Sequence, residues 1–387
     1  MTAASYSMLD ALVFRPYPVP HPGNVLTLVS TSHESAFEGF SYREYLDIRD
    51  ASHSYTGVVA SGTVAAVGFS SDPKVTPRVK GGMLVSGNYF KVLDVEPRLG
   101  RGFRADEDQV PGRDAVVVLA WEFWKQEFAS DPSVVGRSVR LNGREFTVIG
   151  VAPQSFPGLF IFSRNDFFIP LAMARLFAAN PQQDFLESRD ARVLTLRARL
   201  NAHTTLVQAR NELAAIANGF KLANPQLYRD RGASVHTQFE MRTQAEEKNW
   251  KFGLIFTVLG LSTLLVACTN VAGLLLSRAR ARTREIAVRL ALGAGRERLV
   301  RFLMAESLIL AGLGGLVGIA LGYVAIHFLR KFSIPTDLPI SVPFRMDTRV
   351  LLACVAMAIF SAVLCGLAPA FQSTRTGRFE VWVMNDD

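Results

Sequence analysis

FGLIFTVLGLSTLLVACTNVAGLLL (Phe252–Leu276), followed directly by SRARARTREIAVRLALGAGRERLVR (Ser277–Arg301), is the stretch from which the rest of the chain can be oriented. The first part has no Asp, Glu, Lys or Arg. At about 1.5 Å per helical residue it is longer than the roughly 20 residues needed to cross a hydrocarbon core. The second part carries Arg278, Arg280, Arg282, Arg284, Arg289, Arg296, Arg298 and Arg301 against only Glu285 and Glu297. A concentration of arginine beside a span marks the cytoplasmic side.

Two further uncharged stretches follow, Ser307–Leu329 and Val350–Phe371, each long enough to span. Alternating outward from the arginine loop, 330–349 lies outside and 372–387 inside, and residues 1–250 lie outside. The pattern predicts a multi-pass protein with a large domain on the far side of the membrane.

Composition agrees with that division. Of 387 residues, 49% are hydrophobic, concentrated in the last third, and mean hydropathy is +0.20. Residues before 250 can form a sizeable core. The formal net charge is +8, and much of the excess sits in the membrane-flanking loop. Lipid headgroups and protein partners explain it more simply than nucleic acid. The three cysteines, Cys268, Cys354 and Cys365, fall in predicted spans. The outer domain therefore has no disulfide, and an apolar setting disfavours a nucleophilic thiolate.

The first residues, MTAASYSMLDALVFRPYPVPHPGN, form no complete export signal. SMLDALVF (Ser7–Phe14) is short and interrupted by Asp10, and Pro16, Pro18, Pro20 and Pro22 enforce an extended segment. Residues 1–24 look like the tail of an element whose beginning is missing.

From Val25 to Val29 a β-rich run precedes Ser41-Tyr-Arg-Glu44, a capping box predicting a helix to about Asp50, and a second β-rich run covers Tyr55–Phe69. The order then repeats. Arg192–Leu200 alternates, with Leu194, Leu196, Ala198 and Leu200 predicted inward and Thr195, Arg197 and Arg199 outward. Thr205-Leu-Val-Gln208 caps a helix to about Phe220, and Ser234–Phe239 reads as a strand. Two strand-helix-strand units predict one α+β subdomain over 25–245, split by a β-rich insertion at about 95–185. Within the insertion, Asn142-Gly143 sits between strand-like runs and supplies the positive φ values of a type I′ hairpin. Trp121, Trp124 and Phe128 form one helical aromatic face, read as core rather than as a binding box. The charged stretch Glu240–Lys251 links the domain to the first span.

No phosphate-cradling G-x-x-x-x-G-K-[ST], no H-E-x-x-H and no G-x-S-x-G occurs. No catalytic, cofactor-binding or metal-binding residue is therefore predicted. The acidic cluster Asp106–Asp108 reads as a solvated turn rather than an acid–base dyad.

The arginine loop, 277–303, is more informative. Ile286 and Leu290 share a helical face, Glu285 and Arg289 are an i,i+4 pair, and Gly293-Ala-Gly295 breaks the helix before a second amphipathic run with Leu299, Phe302 and Leu303. Such an elbow can rest on lipid or dock into another protein's groove, and the pattern favours neither. Gly314, Gly318 and Gly322 recur every fourth residue and predict a close helix-packing seam, while Asn270 and Thr269 offer interhelical hydrogen bonds.

The run Ala267–Gly322 resembles the permease module of MacB/FtsX-type ABC transporters. YFKVLDVEPRLGRGFRADED (Tyr89–Asp108) and VVVLAWEFWKQEFASDPSVVGRSVRLNGREFTVIGVAP (Val116–Pro153) resemble the MacB-like periplasmic core domain. The resemblance implies an α+β extracytoplasmic domain followed by a three-helix membrane unit in the bacterial inner membrane. It implies one further helix before the outer domain, which is absent from this chain. It also implies a cytoplasmic ABC ATPase as a separate chain, a second permease unit as homodimer or duplicated half, and a periplasmic partner. Arg284, Glu285, Ile286, Arg289, Leu290, Gly293 and Gly295 would contact that ATPase. The expected task is movement of the outer domain driven by ATP hydrolysis, for efflux or another extracytoplasmic purpose. The alternative is a non-transporting scaffold that binds a periplasmic partner.

Overall fold

The computed structural model describes residues 15–33, 35, 37–72, 75–160, 165–178, 184–245 and 247–281, with short helical pieces between 309 and 359. The chain divides into two compact units, one holding residues 15–247 and the other taking over from Lys248.

The first strand of the larger unit, β1 (Val25–Thr31), is buried at every position up to Ser30. Helix α1 (Tyr42–Ala51) starts where the capping box is written: Ser41 Oγ accepts the Glu44 amide at 3.2 Å and Glu44 Oε2 accepts the Ser41 amide at 2.8 Å. Tyr45 and Ile48, one turn apart, face the core. Strand β2 (Tyr55–Ser70) then runs antiparallel to β3 (Arg78–Val85). The repeat of this order is β9 (Thr195–Leu200), α4 (Leu206–Ala223) and β10 (Gly232–His236), with a second capping box at Thr205 and Gln208.

β9 is antiparallel to both β1 and β2, and β1 is antiparallel to both β9 and β10. β1 and β2 are therefore parallel, as are β9 and β10, which is the interleaved β-α-β-β-α-β arrangement. Its second strand carries the rest of the fold. Tyr55–Ser61 of β2 pairs with β9, whereas Ser61–Phe69 pairs with β3, so one long strand serves both halves.

Beyond β3 lie α2 (Tyr89–Val92), β4 (Leu99–Gly100), β5 (Val116–Leu119), α3 (Trp121–Glu127), β6 (Ser138–Leu141), β7 (Arg144–Val151) and β8 (Phe167–Pro170). The sheet runs β10-β1-β9-β2-β3-β8-β5-β7-β4, with β6 pairing β2 and β7. The Asn142-Gly143 hairpin is present, with φ of 49° and 81° and Leu141 opposite Arg144. Asn142 Oδ1 also accepts the Gly68 amide at 2.8 Å, which ties the hairpin to β2.

Helix α3 buries an aromatic cluster, as expected of a core element, but Phe123 is its deepest ring. Phe123 is 1% exposed and lies edge-on to Phe69 at 4.9 Å. Trp124 is buried beside it and donates its indole N–H to the Asp131 carbonyl at 2.8 Å. Along 194–200 the alternation holds for Leu194, Leu196 and Ala198, all 1% exposed or less, whereas Leu200, expected inward, is half-buried at the strand end. The alternation fails at Arg197, expected outward and only 6% exposed, because the Tyr17 and Phe160 rings lie over that face.

The second unit is described most fully by helix α5 (Glu247–Ala281). Residues 252–276 lie within it. The charged link expected over 240–251 is largely helical, with a wide π-type turn at Met241–Ala245. Among the described residues, no helix is long and apolar enough to cross a membrane. Gly314 and Gly318 are helical, and a Cβ added at either would meet nothing within 4 Å. Gly322 is also helical, Asn270 is exposed on α5, and the Thr269 hydroxyl donates to the Leu265 carbonyl of its own helix at 2.9 Å. The loop residues Arg284, Glu285, Ile286, Arg289, Leu290, Gly293 and Gly295 lie outside the described residues, as do the loop 330–349 and the tail 372–387.

Candidate functional site

Three side-chain constellations in the larger unit hold together segments far apart in sequence. The first centres on Asp108. The acidic cluster forms a turn, Ala105–Asp108, but it is only partly solvated: Asp106 is exposed, whereas Glu107 and Asp108 are each 8% exposed. Asp108 Oδ2 accepts the Gly87 amide at 2.9 Å and Oδ1 accepts the Ala172 amide at 2.8 Å. One carboxylate thus joins the ends of β3 and β8 to the turn. Glu107 pairs with Arg101, and this pairing and the Arg104 amide outweigh the upward push of burial to hold its carboxyl below the usual range. The acidic cluster is therefore an internal brace, which residue types alone could not distinguish from a surface turn.

Burial pushes Asp108 up to about 6 despite its amide donors. Because the folded value exceeds the unfolded one, the fold binds this proton more tightly than the unfolded chain does. The contribution to stability is therefore full below about pH 4 and is lost as pH rises through about 6. The loss amounts to roughly 3 kcal/mol for a gap of about two pH units. In Asp108→Asn this component of the slope should vanish, measured as urea midpoints of the full chain in neutral detergent at pH 4.5 and pH 7. An unchanged slope would show that Asp108 does not titrate in this interval.

A second constellation lies where α1, the start of β2, α2 and β9 meet. An open cleft of ≈ 530 Å³ is lined by, among others, Arg49, Tyr55, Asn88, Lys91, Asp94 and Arg199. Its arginines already have partners. Arg49 donates to Asp50, and Arg199 donates to the carbonyls of Val92, Leu93 and Pro20 at 2.6, 2.8 and 3.1 Å. Arg199 thereby satisfies carbonyls at the C-terminal end of α2 and fixes that helix against β9.

The third constellation collects the two ends of the unit. Gln238 Oε1 accepts the Tyr17 amide at 3.0 Å while Gln238 Nε2 donates to the Arg15 carbonyl at 2.8 Å. One side-chain amide thus fastens the segment entering the unit to the segment leaving it. The Tyr17 ring lies 5.2 Å from the Arg197 guanidinium carbon and 5.9 Å from that of Arg242.

Among the described residues a hydroxyl–imidazole contact joins Ser234 Oγ and His236 Nε2 at 2.8 Å on the edge strand β10. Glu240, the nearby acid, is engaged by Arg210 and by the Thr237 amide, so it does not orient the imidazole as a triad acid would. Burial holds His236 below the usual histidine value. No group of three or more His, Cys, Asp or Glu able to hold a metal ion occurs among the described residues. The geometry describes a braced module whose two ends are fastened together.

In class, the larger unit is an α+β domain built on an interleaved β-α-β-β-α-β core with a β-rich insertion. A model of the MacB-like periplasmic core domain matches residues 2–216, and one of the FtsX-like permease C-terminal domain matches residues 257–377. The chain belongs to the MacB/FtsX-type ABC transporter permease family. It is 26% identical to the pyoverdine export ATP-binding/permease protein PvdT of Pseudomonas syringae pv. syringae, over 82% of this chain and 47% of that protein. It is 27% identical to the macrolide export ATP-binding/permease protein MacB of Hyphomonas neptunium, over 70% of this chain and 38% of that one. With the uncharacterized ABC transporter permease YvrN of Bacillus subtilis it shares 25% identity, over 77% of this chain and 68% of that protein. The chain thus spans about half the length, or less, of the first two relatives. Among solved structures, the periplasmic region of MacB from Actinobacillus actinomycetemcomitans aligns at 15% identity and a TM-score of 0.42, covering 59% of this chain and 94% of that one.

Proposed function

We propose that this chain is a permease unit of an ABC-type transporter, in which ATP hydrolysis by a cytoplasmic partner moves the domain formed by residues 15–247. The observation that carries the reading is the tandem match of a periplasmic core domain and an FtsX-like permease domain in one chain. Helix α5, at 35 residues, supports it. At about 1.5 Å per residue such a helix is longer than the roughly 30 Å hydrocarbon core. The domain is proposed to lie outside the inner membrane and the loop 277–303 inside, with Phe252–Leu276, Ser307–Leu329 and Val350–Phe371 as spans.

PvdT and MacB are described as ATP-binding/permease proteins, which supports an ABC ATPase as the driving partner. An ATPase on a separate chain and a second permease unit, packed along Gly314, Gly318 and Gly322, complete the proposal. Export of a small molecule or peptide is the task most in keeping with these relatives.

Topology tests the reading. Single cysteines at Asn142 and Ser277, in a background without Cys268, Cys354 and Cys365, are treated with a membrane-impermeant thiol reagent in intact and lysed cells. Asn142→Cys should label in intact cells and Ser277→Cys only after lysis. If both sites need lysis, the outer domain is not outside and the proposal fails.

A further inference from the structure

Arg197 is a buried cation with two donor nitrogens unmet. Its side chain rises from the internal strand β9 and the residue is 6% exposed, yet neither Nε nor Nη1 has a hydrogen-bond partner. A guanidinium removed from water in this way needs compensation, and the usual form is a carboxylate or phosphate engaged by the planar donor fork. Here the compensation is partial. The guanidinium carbon sits 5.2 Å from the ring centroid of Tyr17 and 5.2 Å from that of Phe160. Ring faces attract a cation, but they leave its N–H groups unsatisfied.

A second arginine lies against the Tyr17 ring. Arg242, 5% exposed, lies 5.9 Å from the same Tyr17 ring. Burial alone would raise the Tyr17 phenol, but Arg197, the next largest influence, and Arg242 hold it below the ordinary tyrosine value. The Tyr17 hydroxyl and Thr27 Oγ1, 3.5 Å apart, add polar atoms beside the ring. Phe160 is only partly buried, so its ring borders solvent.

We propose that Arg197, between Tyr17 and Phe160, is the floor of a binding slot for a carboxylate group. The unmet Nε and Nη1 donors of one guanidinium match a single negative charge, and a planar carboxylate fits between two ring walls better than a tetrahedral oxyanion. The carboxylate belongs either to a free small acid or to the C-terminus of a peptide. The inference rests on the unit 15–247 alone and is independent of the permease reading.

The experiment uses the purified full chain in a neutral detergent, with acetate and N-acetylglycine as probes. Acetamide and sodium chloride at matched ionic strength serve as controls. Two signals are followed, the thermal midpoint and the tyrosinate absorbance on alkaline titration. The site predicts a saturable rise in midpoint with a carboxylate and not with the controls, because a ligand that binds only the folded state stabilises it by mass action. It also predicts an upward shift in the lowest tyrosine titration, since a bound anion offsets the arginine charges at Tyr17. Arg197→Met keeps the apolar stem between the rings and should lose both responses. Arg197→Lys keeps the charge without the planar fork and should retain a response at least several-fold weaker. A response to N-acetylglycine at much lower concentration than to acetate would identify a peptide terminus as the ligand, and equal responses a free acid. Absence of any carboxylate-dependent shift in the unsubstituted chain, or the same shift in Arg197→Met, would overturn the proposal.

Discussion

Replacing Arg192 with methionine is expected to destabilise the outer domain by about 3–5 kcal/mol, the cost of leaving a buried charge without its partner. The residue left without its partner is Glu44, which is 1% exposed at the first turn of α1. Arg192 bonds Glu44 Oε1 through Nη2 and the Ser30 hydroxyl through Nη1 at 2.6 Å, and its side chain is only 8% exposed. It also lies over the Tyr228 ring at 5.6 Å. The contacts join β1, α1 and the segment that leads back into β9, so they fix where the chain re-enters the interleaved core. Glu44→Gln combined with Arg192→Met removes both charges while leaving a side-chain oxygen for the Ser41 amide. This double variant should recover about 1–3 kcal/mol of the loss, because contacting residues are not additive. Chemical denaturation of the full chain in detergent, followed by tryptophan fluorescence, measures all three proteins. A loss below about 1 kcal/mol for Arg192→Met would mean that water reaches Glu44, and the buried brace would be wrong.

Leu290→Asp is the second large effect expected, and it acts on coupling rather than on folding. Under the proposed function, Leu290 and Ile286 form the apolar face that docks on the ATPase. Losing a buried leucine costs about 1.5–3 kcal/mol and a buried carboxylate adds to it, so affinity should fall roughly 100-fold. Binding of the ATPase that copurifies with the unsubstituted chain, and the stimulation of its hydrolysis, should both be lost, whereas Leu290→Met should preserve them. Undiminished binding and stimulation in Leu290→Asp would remove this face from the docking role.

Much of the architecture could be read from short patterns because those patterns are satisfied locally. A capping box closes within four residues, and both Ser41 to Glu44 and Thr205 to Gln208 form as written. The Asn142-Gly143 turn needs only two positive φ values, which those residue types supply. The inward positions Leu194, Leu196 and Ala198 follow from a period of two. Family membership was legible too, since two long stretches carry it, and it concerns the whole chain rather than any one site.

Where the reading failed, the deciding partner was distant in sequence. Arg197 follows the same period of two and was placed outward, but alternation separates the two faces of a strand without saying whether the second face meets water. The pairing of β9 between β1 and β2, together with Tyr17 and Phe160 packed over it, buries that face. Asp108 looked like one of three acids in a surface turn. Its role depends on the amides of Gly87 and Ala172, 21 and 64 residues away.

By itself the sequence determined the α+β elements, the family and the polarity pattern of the last third, because local backbone chemistry and hydrophobic periodicity need no distant contact. The tertiary structure alone decided which polar groups lie inside, because burial of Arg197, Glu44 and Asp108 arises only when strands and turns far apart in the chain close over them. The cost or use of a buried charge is a property of those neighbours and not of the residue type.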